Sequence, residues 1–514
     1  MTLDEIVARN ALRFPDKPAL VMGGRSVTWS QLDRRVDRVA NALREAGLVA
    51  GDLVAILLTN CIELIESYFG AARAGLIAVP LNYRLNGKEL SKILGNVRPA
   101  LLICGSALAD RVADCEPALA RWIVGQGASQ GAGSYEAAVD GASTERAAAR
   151  GREGDPFAIF FTSGTTGLPK GVMVSHRNLE ANAFNQFVAD ESRPEDINLV
   201  STPLYYAGAV FMSVTYMMLG CTQVIMEAFD PGRWLELVGR HRVSVALLVP
   251  TMINSVLNHP DLDRADLSSL RRIFYGGGPM PATVLRRALG RLRCGFTQGY
   301  GLTETLEATF LVASDHVLDG SAQQERRLSS AGREAVGAEV RIVDGSGRDV
   351  PAGVVGEVLV RSRSVCAGYW NDPVETAKAF FGDWFRTGDL GYLDEERYLF
   401  IVDRIKDVVV SGGANIYTKE VESALYDHPA VLEAAVIGLP DEEWGEIVAA
   451  VVVRRPGMPV SVDDLVSWCR ESLSGYKKPR AIHFVDELPK NPSGKVLKRE
   501  LRSMFAQRAG RERE

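Results

Sequence analysis

The chain has 514 residues, of which 46% are hydrophobic and 24% charged, and its formal net charge is only -6. This length is too great for one simple core and predicts one large domain with a smaller one. The nearly balanced charge gives no general electrostatic reason to expect a nucleic-acid partner, and the scattered cysteines and histidines, without a C-x-x-C pair, predict reduced thiols and no structural zinc.

The N-terminus lacks the basic start and apolar run of a secretion signal, which predicts a cytoplasmic protein. Residues 197–226 contain no charged residue and are long enough to span a bilayer. They also contain Pro203, Gly208 and Gly220, and no basic cluster flanks them. We therefore expect no transmembrane segment there, but a buried core helix with a strand beside it.

Short apolar runs alternate with helical patterns through the first two thirds of the chain, which is typical of βαβ units and mainly parallel sheets. Strands are predicted at residues 157–161, 244–249 and 271–275. The first is followed by a turn-rich loop and a helix at 176–188, and Pro281 is placed to begin the helix after the third. The segments 125–154 and 315–330 are rich in small or polar residues and are predicted to be surface loops.

The sequence changes character after about residue 350, where strand runs at 354–360 and 398–402 are joined by tight polar turns. This pattern predicts a small antiparallel, barrel-like section. A compact α+β unit follows, with predicted helices at 419–426 and 462–472 and strands at 434–437 and 447–453. A boundary near residues 403–406 divides the chain into domains 1–403 and 404–514.

A glycine-rich loop directly follows the first predicted buried strand. Residues 162–171 read Thr-Ser-Gly-Thr-Thr-Gly-Leu-Pro-Lys-Gly. Its glycines let backbone amides turn toward an anion, its hydroxyls add donors and Lys170 adds a cation, a combination that suits a polyphosphate. The spacing differs from G-x-x-x-x-G-K-S/T, which disfavours a conventional P-loop NTPase, and an ordinary loop stays open on composition alone. The predicted phosphate-binding residues are Thr162, Ser163, Gly164, Thr165, Thr166 and Lys170.

Four further motifs follow in order: Gly-Tyr-Gly-Leu-Thr-Glu at 299–304, Trp-Phe-Arg-Thr-Gly-Asp at 384–389, Asp-Arg-Ile-Lys-Asp at 403–407 and Pro-Ser-Gly-Lys at 492–495. With the loop at 162–171, they make the chain resemble the adenylate-forming superfamily of acyl-CoA synthetases, luciferases and peptide-synthetase adenylation domains. The resemblance covers nearly the whole chain. It implies an α/β fold with a large multi-layer N-terminal domain and a smaller, mobile α+β C-terminal domain, and it implies ATP, Mg²⁺ and coenzyme A as cofactor and co-substrates.

The resemblance also implies roles for single residues. Tyr300 resembles the aromatic residue of the adenine pocket, Asp389 and Arg404 resemble the ribose-binding pair, and Glu304 resembles the magnesium carboxylate, with Thr303 beside it as a catalytic residue. Without the family, each charged residue of this set would be expected on the surface. The other residues expected around the nucleotide are Gly277, Gly278, Pro279, Gly299 and Gly301.

The resemblance implies that residues of the C-terminal motifs act in both steps of the reaction, formation of the acyl-adenylate and transfer of the acyl group to a thiol. Lys495 resembles the lysine that stabilises charge during attack on the α-phosphate, where a fixed ammonium lowers the barrier. In the resembled family the small domain swings about a hinge, and Lys406 falls at the matching position. Ser411, Gly412 and Gly413 resemble the loop brought up for the coenzyme A step. Thr418 stands where many members of the family carry proline.

The acid pocket is implied more coarsely. Tyr206 stands where the family often has a histidine, and the segment around it lacks an aspartate that could pair with a substrate ammonium, which argues against amino acids. The predicted walls, residues 206–210, 249–251, 276–278 and 301–308, are mostly apolar and contain no arginine, which favours an aryl or aliphatic monocarboxylic acid. The named pocket residues are Tyr206, Ala207, Gly208, Thr251 and Gly276.

These expectations together predict an AMP-forming carboxylic acid:CoA ligase that acts through an acyl-adenylate. Three alternatives stay open: an enzyme that loads an acyl carrier protein, a non-catalytic nucleotide-binding homologue, and an oxidative luciferase, since fold alone does not fix function. The expected partners are small molecules, with a homodimer as a candidate assembly.

Overall fold

The computed structural model describes residues 1–113, 115, 119–125, 132–146, 151–162, 169–278, 280–490 and 496–511, with side chains up to residue 506. The strands form four sheets, of nine, seven, five and five strands. The first 190 residues contain α1 (Asp4–Arg13), β1 (Pro18–Met22), β2 (Arg25–Thr28), α2 (Trp29–Glu45), β3 (Leu53–Leu57), α3 (Ile62–Ala74), β4 (Ile77–Pro80), α4 (Gly87–Val97), β5 (Leu101–Gly105), β6 (Ala120–Val124), β7 (Gly133–Ser134), α5 (Tyr135–Gly141), β8 (Pro156–Thr162), β9 (Lys170–Ser175) and α6 (His176–Asp190).

The middle of the chain contains β10 (Ile197–Val200), α7 (Ala207–Met218), β11 (Thr222–Ile225), α8 (Pro231–His241), β12 (Val245–Leu248), α9 (Pro250–Leu257), β13 (Arg272–Gly276), α10 (Ala282–Leu292), β14 (Gly295–Leu302), β15 (Leu306–Leu311), α11 (Ala322–Arg327) and β16 (Arg333–Glu334). The last third contains β17 (Ala338–Val343), β18 (Gly356–Ser362), α12 (Pro373–Ala379), β19 (Phe380–Phe381), β20 (Trp384–Leu393), β21 (Leu399–Arg404), β22 (Val409–Ser411), β23 (Ala414–Ile416), α13 (Thr418–Tyr426), β24 (Val431–Asp441), β25 (Gly445–Arg454), α14 (Val462–Ser472), β26 (Ala481–Phe484) and α15 (Lys498–Arg511).

The two large sheets are mainly parallel, as predicted. The nine-stranded sheet has the order β16-β15-β14-β13-β12-β10-β11-β1-β2, and its strands from β14 to β1 pair in parallel. The seven-stranded sheet has the order β7-β6-β5-β3-β4-β8-β9 and is parallel except for the pair β8–β9. Helices cover these sheets because the buried strands need apolar partners on both faces.

A buried apolar core that includes α7 connects the two large sheets. Nearly every residue of α7 is buried, as expected of a helix enclosed by protein. Its Phe211 meets Phe274 of β13 edge to face, with ring centroids 6.2 Å apart. From the other sheet's layer, Tyr68 of α3 donates a hydrogen bond to Leu204 O at 2.7 Å. The segment that leads into α7 is therefore fixed from both sides.

The last third of the chain forms the two smaller sheets. Strands β17 to β21 pair antiparallel and stand where the barrel-like section is predicted. In the C-terminal unit, β22 to β26 form a mixed sheet with its own apolar core, packed against α13 and α14. The helix predicted at 462–472 is confirmed as α14, whose Ser461 and Asp464 form a capping box.

Most predicted elements are confirmed. The strands at 157–161, 244–249 and 271–275 are β8, β12 and β13, and the helix at 176–188 is α6. Residues 197–226 form β10, α7 and β11, which confirms a buried helix beside strands. Within the described ranges, no helix is both long and apolar enough to cross a bilayer.

The two predicted surface loops are partly wrong, because each contains a short helix. Within 125–154, α5 begins after Ser134, whose Oγ accepts the N–H of Ala137 at 3.2 Å. Within 315–330, α11 begins after Ser321, which forms a capping box with Gln324. Neither helix is long enough to show a clear apolar stripe, although the Ser-x-x-Gln signature before α11 is visible in the sequence.

Candidate active site

The glycine-rich loop joins two antiparallel strands. Thr162 ends β8 and Lys170 begins β9, and the two residues stand opposite each other in register. The predicted path of strand, loop and helix is therefore incomplete, because β9 stands between the loop and α6. Ser163, Gly164, Thr165 and Thr166 lie outside the described residues, and their phosphate-binding role stays a prediction.

Lys170 faces an acidic and aromatic pair that the sequence did not single out. Its Nζ donates to Glu375 Oε2 at 2.5 Å and lies 4.7 Å from the centroid of the Tyr369 ring. The hydrogen bond from Lys170, followed by that from Lys378, lowers the pKa of Glu375 to about 2. An anion arriving at Lys170 would compete with Glu375 for this ammonium.

Tyr369 connects the lysine to the predicted magnesium ligand. Its hydroxyl donates to Glu304 Oε1 at 3.0 Å. Backbone hydrogen bonds hold the three segments together, from Trp370 N to Gly171 O and from Cys366 N to Glu304 O, both at 2.7 Å. The structure therefore brings Lys170 and Glu304 to one place. Glu304 is half-buried and offers the hard carboxylate oxygens that Mg²⁺ prefers, so the site fits that ion.

A second cluster forms around Asp389. Tyr300 donates to Asp389 Oδ2 at 2.8 Å, and Arg404 Nε lies 2.8 Å from Asp389 Oδ1. Arg404 stands opposite Asp389 in the register of β20 and β21. Burial and then the nearby charge of Asp389 raise the pKa of Tyr300, so its hydroxyl stays protonated. Although burial opposes the charge of Arg404, the nearby Asp389 raises the pKa of Arg404, so the guanidinium stays charged.

Several glycines lie where β13, β14 and β15 approach one another closely. Gly276 of β13 stands opposite Gly299 of β14, and a Cβ on Gly276 would lie 2.6 Å from Gly299 O. A Cβ on Gly301 would lie 1.6 Å from Leu306 O, so no larger residue fits beside the bulge at Tyr300. After β13, Gly277 has φ of +77° and Gly278 faces open space. Pro279 lies outside the described residues.

Three of the predicted acid-pocket residues, Tyr206, Ala207 and Gly208, lie at the start of α7. Tyr206 is the N-terminal flanking residue of α7, and its ring lies 4.4 Å from that of Tyr205. Tyr205 in turn meets Tyr83 edge to face at 5.2 Å. The position where the family often has a histidine therefore belongs to a tyrosine cluster. Ala207 is buried, a Cβ on Gly208 would meet only the Phe211 ring, at 3.7 Å, and Thr251 is exposed at the start of α9.

The segment predicted to be a hinge contacts the C-terminal unit through Asp403. Asp403 accepts hydrogen bonds from the backbone N–H and, at 2.9 Å, from the hydroxyl of Thr418. Lys498 Nζ donates to the same hydroxyl at 2.7 Å. Lys406 lies in a 3-10 turn just after β21, where burial and then Arg404 lower its pKa. Proline at position 418 could make neither bond to Asp403, so the departure from the family pattern adds contacts at this point.

The remaining C-terminal candidates lie in the turn between β22 and β23. Gly412 and Gly413 have φ of +57° and +80°, which explains glycine at both positions. Gly412 N donates to Trp444 O at 2.8 Å, and Ser411 pairs with Ala414. These contacts lie inside the C-terminal unit. Lys495 lies outside the described residues.

The two clusters contain residues that the sequence predicts at the ribose and at the phosphates of a nucleotide. Comparison with known proteins gives the family. The sequence profile for the AMP-binding enzyme matches residues 7–370, and that for the AMP-binding enzyme C-terminal domain matches residues 420–495. The chain belongs to the AMP-binding enzyme family.

Individual relatives match over nearly the full length. A feruloyl-CoA synthase from Amycolatopsis sp is 39% identical over 97% of this chain and 98% of its own. The fatty acid–acyl-carrier-protein ligase ScoC from Streptomyces coeruleorubidus is 37% identical over 98% of this chain and 96% of its own. The crystal structure of ATP-bound MatB from Rhodopseudomonas palustris superposes with a TM-score of 0.89 and 31% identity, covering 98% of this chain and 99% of that one.

Proposed function

We propose that this chain is an AMP-forming carboxylic acid:CoA ligase that activates an aryl or aliphatic monocarboxylic acid as its acyl-adenylate. The proposal is carried by the joint presence of the Tyr300–Asp389–Arg404 cluster and the Lys170–Tyr369–Glu304 contacts. Tyr300 and Glu304 are four residues apart, so at most about 14 Å of extended chain separates them. One ATP molecule can meet both groups at once.

The cluster of Tyr300, Asp389 and Arg404, called the ribose cluster below, would bind the nucleoside end of ATP. Asp389 presents a carboxylate that is 5% exposed and already oriented by Tyr300 and Arg404. A carboxylate can accept hydrogen bonds from both ribose hydroxyls, and its fixed orientation lowers the entropy cost of binding. A Cβ on Gly278 would meet nothing within 4 Å, so this residue leaves room for the flat base.

The cluster of Lys170, Tyr369 and Glu304, called the phosphate cluster below, would bind the phosphate end of ATP. Lys170 would exchange its contact with Glu375 for phosphate oxygens, and Glu304 would hold the magnesium ion that offsets their charge. A carboxylate oxygen of the acid then attacks the α-phosphorus, the bond to the β-phosphate bridge breaks, and pyrophosphate leaves. The sequence assigns to Lys495 the ammonium that stabilises this charge, an effect worth about 3 to 4 kcal/mol in comparable sites.

The second step would use the C-terminal turn. A thiol attacks the acyl carbonyl, its proton passes to solvent, and AMP leaves with both electrons of the acyl–phosphate bond. A Cβ on Gly413 would meet nothing within 4 Å, so the backbone at this residue is open to the close passage of a narrow thiol arm.

Two candidate functions differ in the molecule that accepts the acyl group, coenzyme A or an acyl carrier protein. The feruloyl-CoA synthase supports coenzyme A, whereas ScoC, by its name, loads an acyl carrier protein. The test is acid-dependent ATP–pyrophosphate exchange over a panel of aryl, aliphatic and dicarboxylic acids, followed by mass analysis with free coenzyme A or an acyl carrier protein. Exchange with monocarboxylic acids and an acyl-CoA mass support the proposal. Exchange without thioester on coenzyme A, but with acyl transfer to the carrier protein, would favour the second candidate.

A further inference from the structure

One buried carboxyl near the site has no role in the chemistry described above. Glu307 lies in β15, three residues after Glu304, and is 8% exposed. Its Oε2 is buried and, within the described part of the chain, has no hydrogen-bond partner. Its backbone N–H donates to Asn182 Oδ1 at 2.9 Å, which fixes the strand at this point. A buried polar group without a partner is costly, so its retention calls for a reason.

The Glu307 side chain lies against Gly299 of β14. A Cβ on Gly299 would stand 2.5 Å from Glu307 Oε2 and 2.5 Å from Phe274 Cζ. Successive residues of a strand face opposite sides, so Tyr300 turns toward Asp389 while Gly299 faces Phe274 and Glu307. The carboxyl is therefore on the side of β14 away from the ribose cluster.

Contacts link this position to the predicted acid pocket. Phe274 meets Phe211 of α7 at 6.2 Å between centroids, and Phe211 is the neighbour of Gly208. Phe310, which follows Glu307 along β15, also meets Phe274 at 6.2 Å. Gly208 is a predicted residue of the acid pocket, so Glu307 lies at the far end of an apolar region that starts at that predicted pocket. Its carboxyl is a polar group that faces aromatic rings.

We propose that Glu307 selects acids whose tail carries a hydroxyl group. This inference rests on the acid-activating function proposed above. Burial raises the pKa of Glu307 to about 8, so the carboxyl is mainly protonated at neutral pH. A protonated carboxyl both donates and accepts, which matches a hydroxyl and leaves a methyl group at the same place with an unpartnered polar neighbour. The apolar walls contact the body of the acid, and Glu307 forms a hydrogen bond with the hydroxyl at its tail.

The test compares acids of equal shape that differ only at the tail. The probes are 4-hydroxycinnamate with 4-methylcinnamate, and 8-hydroxyoctanoate with nonanoate, measured as kcat/KM in pyrophosphate release. For whichever pair of acids the wild-type enzyme turns over faster, it should prefer the hydroxylated member. The expected preference in kcat/KM is roughly ten- to a hundredfold, the range for one buried hydrogen bond. Glu307→Leu should abolish or reverse that preference, and Glu307→Gln should keep most of it.

A control separates recognition from folding. Thr309→Val removes another buried polar group from the same strand, where the hydroxyl donates to Ala331 O. It should leave the preference unchanged while lowering the melting temperature. Three results would each overturn the inference. They are a wild-type preference for the methyl member, an unchanged kcat/KM ratio in Glu307→Leu, and turnover of other acids but of neither pair. Absence of pyrophosphate exchange with every acid would instead refute the proposed function itself. If Glu307→Leu does not fold, Glu307→Gln decides, since loss of the preference there would contradict the proposal.

Discussion

Replacing Arg404 by glutamine should weaken ATP binding far more than the same change at a neighbouring arginine. Arg404 lies 2.8 Å from Asp389, and the two side chains are 27% and 5% exposed. A charge-assisted hydrogen bond in a mostly buried setting is worth about 1.5 to 3 kcal/mol. Since 1.4 kcal/mol is tenfold, we expect the KM for ATP to rise by roughly ten- to a hundredfold.

Arg386 provides the matched control. It lies in β20, three residues before Asp389, and pairs with Glu357 at 2.5 Å while 48% exposed. Exposed pairs of this kind contribute about 0.2 to 1 kcal/mol, so Arg386→Gln should change the KM for ATP by less than about fivefold. The assay is acid-dependent ATP–pyrophosphate exchange at varied ATP, with melting temperatures measured for both variants. Equal KM values for the two variants would refute the assignment of Arg404 to the nucleotide.

Three further predictions concern other parts of the site. Tyr369→Phe removes the hydroxyl that orients Glu304 and should raise the magnesium concentration needed for half-maximal rate several-fold, whereas an unchanged magnesium dependence would contradict that role. Folding raises the pKa of Glu307 from 4.5 to about 8, so the folded protein binds this proton more tightly than the unfolded chain does. The free energy of unfolding should therefore fall by up to about 1.4 kcal/mol per pH unit as the pH rises from 4.5 to 8. Chemical denaturation at several pH values should show this slope in the wild type and not in Glu307→Gln. Lys495→Ala should abolish acid-dependent pyrophosphate release but leave thioester formation from a supplied acyl-adenylate largely intact, and an equal loss in both half-reactions would show that the assigned role is wrong.

The sequence predicts the scaffold well because its signals are local. Apolar runs identify β8, β12 and β13, and the uncharged segment at 197–226 becomes a helix enclosed by the core. These element predictions depend on residue types at short spacings, which can be read from the sequence directly. The pairing of Asp389 with Arg404 was implied by the family resemblance, and the two side chains do meet, at 2.8 Å. The contact between Tyr300 and Asp389, 89 positions apart, was not predicted.

Contacts between distant segments were not predictable in the same way. Glu375 reaches Lys170 across 205 positions, and neither residue type specifies the other. Tyr369 lies outside every motif, and its role depends on backbone pairing with β9, a strand that the sequence pattern did not predict. Glu307 lies inside a predicted pocket wall, but only the three-dimensional packing shows that its carboxyl faces Gly299 without a partner among the described residues.

The most direct test of the account is to incubate the enzyme with ATP, magnesium, coenzyme A and a monocarboxylic acid that it uses, and to quantify all products by mass and chromatography. An AMP-forming acid:CoA ligase should give AMP, pyrophosphate and acyl-CoA in equal amounts, with acyl-adenylate detectable when coenzyme A is left out. Release of ADP and phosphate, or acyl-CoA formed without an adenylate, would contradict it.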